Sequence, residues 1–284
     1  MDEDRPRRAS RGRRLIRAAA RVCAALALIV LCYVALVRVG LLPNPLAPVA
    51  KGDIALARSG RPGLRVLFVG NSFTFEHSMP ELVHRLAEAA PGARRIFTVE
   101  YTAPFWSLRA ASQDDGLTML LHDIRWDVVV LQERSWIPSL PLEQRARQMY
   151  PYAWSLARDI STARARTMLF MTWGYEHGYS GVSGDTFAAM QARLADGYDD
   201  LARRLAAPVA PVGLAWAAAL RNRPDLDLWE SDGQHPSKPG SFLAACVFYA
   251  ALSHRDPRES TFVDGLEPAE ANYLKRVAAD VVLR

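Results

Sequence analysis

The sequence predicts an α/β protein: a three-layer α/β/α sandwich with a parallel sheet of about five strands, preceded by one N-terminal transmembrane helix. Three observations carry that expectation. Short apolar runs alternate with stretches of helical spacing across residues 64–284. The runs are apolar at successive positions, as strands are when both faces of a parallel sheet are covered. One long uncharged stretch follows directly on a cluster of arginines near the start of the chain. Half of the 284 residues are apolar and 23% are charged, which excludes a disordered chain. Only one stretch approaches a bilayer span, which excludes a polytopic membrane protein.

The basic excess is local. Within residues 1–21, Arg5, Arg7, Arg8, Arg11, Arg13, Arg14, Arg17 and Arg21 face only Asp2, Glu3 and Asp4. That excess of five equals the formal net charge of the whole chain, so residues 22–284 balance 27 basic against 27 acidic groups. They hold no Lys/Arg-rich run, and no nucleic-acid partner is expected. Val22 to Val37 is uncharged, roughly 24 Å long as a helix against a hydrocarbon core of roughly 30 Å. Arg21 and Arg38 lie near its ends, where their charges can snorkel. Residues 1–21 are therefore expected as a basic cytoplasmic segment and 22–42 as a transmembrane signal anchor. The body then lies on the extracytoplasmic side of the cell membrane. A cleaved signal peptide is the competing reading, but the run is long for one and no clean small-x-small site follows. Cys23 and Cys32 fall in the apolar run, which leaves Cys246 without a disulfide partner in the body. It stands in an apolar helical stretch and reads as a buried, inert thiol.

Residues 43–63 are rich in Pro, Gly and Ala without periodicity and read as a linker. The body, 64–284, then alternates. Strands are expected at 65–69, 95–101, 127–131 and 167–172, with a weak fifth at 208–213. Helices are expected at 79–90, 114–125, 142–162, 186–205, 241–252 and 268–283. In such a sheet the ligand site lies beyond the carboxyl ends of the strands.

Two motifs carry chemistry. The first strand runs into Gly70-Asn71-Ser72-Phe73-Thr74, which puts a serine where a helix starts and where backbone N–H groups can face a developing oxyanion. Near the other end stands Asp232-Gly233-Gln234-His235-Pro236, followed by Gly240-Ser241 and an apolar helix. Three residues apart in a turn, Asp232 can accept the Nδ1–H of His235 and stabilise the imidazolium formed when that histidine takes a proton. A serine needs such a base to act as a nucleophile.

Together the two blocks resemble the SGNH (GDSL-like) hydrolase family, in a Gly-Asn-Ser variant, over about residues 64–255. The resemblance implies Ser72 as nucleophile, His235 as general acid/base and Asp232 as its orienting carboxylate. It also implies oxyanion donors from the Ser72 N–H, from a glycine N–H after the second strand, and from an Asn side chain after the third. Here the second block reads Thr102-Ala103-Pro104-Phe105-Trp106-Ser107 without a glycine, so the N–H of Ser107 or Trp106 takes that place. In the third block Gln132 stands where the Asn is implied, carrying the same donor on a longer arm. Trp106, Trp136 and Trp173 follow strand ends and suit either sugar rings or packing. His77 lies five residues past Ser72 and His177 follows the fourth strand, so either could line the pocket.

No cluster has metal-ligand spacing and no Gly-rich phosphate loop occurs, so neither metal nor cofactor is expected. The expected function is a membrane-anchored serine esterase hydrolysing a small-molecule or carbohydrate ester, such as O-acyl groups on envelope polysaccharide. An O-acyltransferase with the same triad and a non-catalytic carbohydrate-binding domain on this fold are the alternatives.

Overall fold

The structure, a computed structural model, describes residues 46–284 together with positions 23, 26, 27, 36 and 44. The basic segment at 1–21 and the span expected at 22–42 lie, but for those scattered positions, outside the described residues. Among the described residues no helix is long and apolar enough to cross a membrane.

The sheet has six strands: β1 (Val49–Gly52), β2 (Leu64–Gly70), β3 (Ile96–Thr102), β4 (Val128–Leu131), β5 (Arg166–Phe170) and β6 (Val209–Ala210), in the order β1-β3-β2-β4-β5-β6. From β3 to β6 the neighbours are parallel, with β2 central: Leu67 lies opposite Val99 on one side and Val129 on the other. β1 is antiparallel to β3, Val49 opposite Thr102, so the sheet is mixed and gains an edge strand in the stretch expected as a linker. The physical reason is exposure. An edge strand with one neighbour and three exposed residues of four needs no apolar pattern to form.

Alternation explains the continuous apolar runs. Val66, Phe68, Val128, Val130, Met168 and Phe170 point into one core; Leu67, Val69, Val129, Leu131, Leu169 and Met171 point into the other. The first core is closed by α3 (Met79–Glu88), α9 (Val212–Asn222), α10 (Lys238–Ser253) and α11 (Pro268–Val282). The second is closed by α5 (Asp115–Asp123), α7 (Tyr150–Thr162) and residues of α8 (Phe187–Leu205). Short helices α1 (Ile54–Arg58), α2 (Ser72–Phe75), α4 (Leu108–Ala111) and α6 (Leu142–Gln148) sit in the connections.

The helix expected over 142–162 is two helices, broken at Met149 (φ −124°). Pro151 has no N–H and its ring crowds the preceding turn, so a new helix starts there. The fifth strand shrinks to two residues between Pro208 and Pro211, and α9 follows where no helix was expected. Cys246 is fully buried in α10, and burial pushes its thiol pKa up.

Candidate active site

The site is assembled at the carboxyl ends of the parallel strands. β2 ends at Gly70, where a side chain does not fit: a Cβ would lie 2.4 Å from both Gln132 Oε1 and Thr74 Oγ1. Asn71 is extended and caps α2, its side-chain oxygen accepting from the Phe73 N–H at 3.2 Å. Ser72 is thereby the first residue of a short helix, with its side chain on the rim.

The Asp232–His235 segment is held from several sides. The Asp232 carboxylate accepts the Gln234 and His235 N–H groups, both at 2.9 Å. The Glu230 N–H donates to the His235 carbonyl at 2.8 Å, and the Glu176 N–H to the Gly233 carbonyl at 2.8 Å. Gly233 takes the left-handed conformation (φ 67°) that this tight turn requires. The result brings three predicted side chains together, two of them 163 residues apart: His235 Nε2 is 2.9 Å from Ser72 Oγ, and His235 Nδ1 is 2.5 Å from Asp232 Oδ2. Burial pushes the Asp232 carboxyl up, but its bonds to His235 and to the two N–H groups outweigh this and hold it below the ordinary carboxylate value. The His235 and Asp232 side chains are 35% and 45% exposed, so the arrangement is shallow and open.

The middle blocks differ from expectation. Gln132 reaches the nucleophile turn from below, buried at 1% exposure. Its Oε1 accepts from the Asn71 N–H at 2.8 Å and from Thr74 Oγ at 3.0 Å, and its Nε2 donates to the Glu133 carbonyl. The Asn71 N–H can only donate, so the amide atom it meets is the oxygen. Gln132 thus acts as a structural amide under the turn, and one of its two Nε2–H groups is taken by the Glu133 carbonyl. Ser107 is the N-cap of α4, its Oγ accepting from the Ala110 N–H at 3.3 Å, while its own N–H has no partner among the described residues. This block lies beside the serine turn because Asn71 Nδ2 donates to the Trp106 carbonyl at 2.9 Å. It lacks the implied glycine, yet Phe105 there has φ 59°, in the region that favours glycine, and the residue is 70% exposed.

The tryptophans separate. Trp106 and Trp173 are buried, whereas Trp136 is half-buried and stacks on Tyr179 at 5.3 Å. Among the histidines, His77 Nε2 lies 3.2 Å from Oε1 of Glu230, which stands two residues before Asp232. His177 is largely exposed beside Glu176. Sequence reasoning missed Glu133. It is fully buried, its Oε1 accepting the Arg134 N–H at 2.7 Å and the Leu108 N–H at 3.1 Å, and burial pushes its carboxyl up to about 7 against those two bonds. No local pattern marks it, because its partner at Leu108 is set by the sheet. Among the described residues no group of His, Cys, Asp or Glu is arranged to hold a metal ion.

No protein-family model matches this sequence, and no curated protein matches it. Solved structures do. A DUF4886 family protein from Bacteroides uniformis matches with a TM-score of 0.62 at 21% identity, over 78% of this chain and 95% of that one. A candidate SGNH hydrolase from Slackia heliotrinireducens matches with a TM-score of 0.56 at 25% identity, over 67% of this chain and 100% of that one. An acetyl xylan esterase matches with a TM-score of 0.51 at 14% identity, over 66% of this chain and 100% of that one. The chain has the α/β fold shared by SGNH and GDSL-like hydrolases.

Proposed function

We propose that the protein is a serine esterase of SGNH type, with Ser72 as nucleophile, His235 as general acid/base and Asp232 as its orienting carboxylate. The observation that supports this best is the run of contacts from Ser72 Oγ to His235 Nε2 at 2.9 Å and from His235 Nδ1 to Asp232 at 2.5 Å. His235 Nε2 takes the hydroxyl proton as Oγ attacks the ester carbonyl. Asp232, held ionised by its bonds, keeps the remaining proton on Nδ1 and stabilises the imidazolium. The Ser72 and Ser107 N–H groups receive the oxyanion of the tetrahedral intermediate. His235 then protonates the departing alkoxide, and water, deprotonated by the same imidazole, releases the acyl group from Ser72.

The openness of the site suits an ester carried on a bulky alcohol, and the half-exposed Trp136–Tyr179 pair and the exposed Phe105 ring suit sugar faces. A protein described as an acetyl xylan esterase has the same fold. An O-acylated carbohydrate is the substrate class that follows. The arginine cluster and uncharged run at 1–42 support a membrane anchor with this domain on the extracytoplasmic side.

The test is direct. A fluorophosphonate should label the wild-type chain and leave Ser72→Ala unlabelled, and Ser72→Ala should lose about 10³-fold or more in turnover of an activated acetyl ester. Unchanged turnover in that variant rules the mechanism out.

A further inference from the structure

The amino ends of the parallel strands form the opposite edge of the sheet, about 20 Å from the Ser72 site. Three adjoining cavities cross the turns that enter β2 to β5. The first, about 660 Å³, is lined by Arg61, Arg65, Arg94 and Arg95. The second, about 560 Å³, shares Gly60 and Arg65 with it and adds Arg58, Arg125, Asp123 and Asp127. The third, about 330 Å³, shares Ile124 and Arg125 with the second and adds Arg164. Seven arginines thus line one groove against two aspartates.

The two aspartates offset only part of this charge. Asp127 Oδ2 accepts the backbone N–H of Arg65 at 2.8 Å, and Asp123 meets Arg58 at 3.4 Å with both side chains more than half exposed. The other six arginines have no carboxylate at ion-pair distance among the described residues. Elsewhere Arg145 pairs with Asp196, Arg193 with Asp185, Arg223 with Asp225 and Arg258 with Asp256. Two groove guanidiniums are oriented by carbonyls instead. Arg65 donates to Ala57 at 2.8 Å and to Arg61 at 2.9 Å, and Arg94 donates to Gly63 at 2.6 Å. Carbonyl partners fix a guanidinium without cancelling its charge.

Crowding like charges opposes folding, and the arginine fork matches the paired oxygens of carboxylate and phosphate groups. No Phe, Tyr or Trp lines any of the three cavities, which leaves no platform for stacking a nucleic-acid base. We infer that this groove binds an extended polyanion, an acidic polysaccharide whose carboxylates lie along the arginines while the opposite edge of the sheet stays free for ester chemistry. The choice of a carbohydrate polymer rests on the proposed esterase reading; the charge of the groove does not.

The test uses the full chain with polygalacturonate, and with a single-stranded oligodeoxynucleotide and phosphatidylglycerol vesicles as alternative anions. Arg61→Gln, Arg95→Gln and Arg125→Gln are combined, because these side chains are exposed and make no hydrogen bond among the described residues. The triple variant should bind polygalacturonate about tenfold or more weakly, with a log–log salt slope lower by about 2 to 3. Its hydrolysis of an activated acetyl ester should be unchanged. Equal binding by wild type and variant assigns the affinity to the arginines of residues 1–21 and overturns the inference. Preference for the oligonucleotide or the vesicles overturns it as well. Binding is read without turnover, so a chain that binds but does not hydrolyse sinks the esterase proposal alone.

Discussion

Trp173 shows how one buried side chain can tie two distant motifs together. It is fully buried, and its ring lies 4.6 Å from Phe73, the neighbour of Ser72, and 4.2 Å from Trp216. Its indole N–H donates to the Gln234 carbonyl, next to His235, at 3.0 Å. The same side chain therefore sets the spacing between the serine turn and the histidine turn. Trp173→Phe keeps a ring and removes the donor. A lost hydrogen bond of this kind costs about 1 kcal/mol in stability. If Trp173 positions the pair, kcat should fall about tenfold while KM changes little; a loss of stability with wild-type kcat would leave it a packing residue only. Asp232→Asn should act more strongly, by about 10³- to 10⁴-fold in kcat, because the amide donates where the imidazole N–H needs an acceptor. Steady-state kinetics on an activated ester reads both.

At the scale of elements, the serine turn depends on an absence of atoms. Gly70 leaves room for the Gln132 oxygen that accepts the Asn71 N–H at 2.8 Å. Gly70→Ala should therefore destabilise the fold by about 1–3 kcal/mol through overpacking and displace Ser72 from His235. A urea midpoint and an ester assay that both stay at wild-type values would show that the turn tolerates the methyl. Element boundaries follow local chemistry where the cause is local, as with Pro151 at the break between α6 and α7. They escape it where tertiary contact decides. The edge strand at Val49–Gly52 exists because β3 offers it an unpaired edge, and Gly52 (φ 103°) ends it against the Thr98 carbonyl.

At the scale of the whole molecule, two buried carboxyls make stability depend on pH in an unusual direction. Burial raises Glu133 and Glu100 to about 7, against an ordinary value of 4.5, with Lys51 partly opposing the shift at Glu100. Between those values the folded chain binds more protons than the unfolded one, so their contribution falls as pH rises from about 4.5 to about 7. Asp185 works oppositely. Its bonds to Arg193 lower it from 3.8 to about 2, giving stability that is present above 3.8 and lost as pH falls toward 2. Glu133→Gln, which keeps an acceptor for the Leu108 and Arg134 N–H groups, should flatten the decline between pH 5 and 8. Urea unfolding at those two pH values checks it, and an equal decline in the variant would show that Glu133 does not titrate in that range. The arginine groove belongs to this scale too. Its seven members run from Arg58 to Arg164 and form no basic run, so a body that is neutral by count carries a strongly positive edge.

By itself the sequence determined the α/β class, the positions of the central strands along the chain and the two motifs that carry Ser72, Asp232 and His235. Each of these follows from patterns within about ten residues: apolar runs, helical spacing, and an Asp and a His three apart in a turn. Only the tertiary structure decided the antiparallel edge strand, the hydrogen bonds that set Gln132 beneath the serine turn, the burial of Trp106 and Trp173, and the gathering of the groove arginines. In each case the deciding partner sits on another strand or turn, and its distance and direction are set by how the sheet stacks rather than by any spacing along the chain.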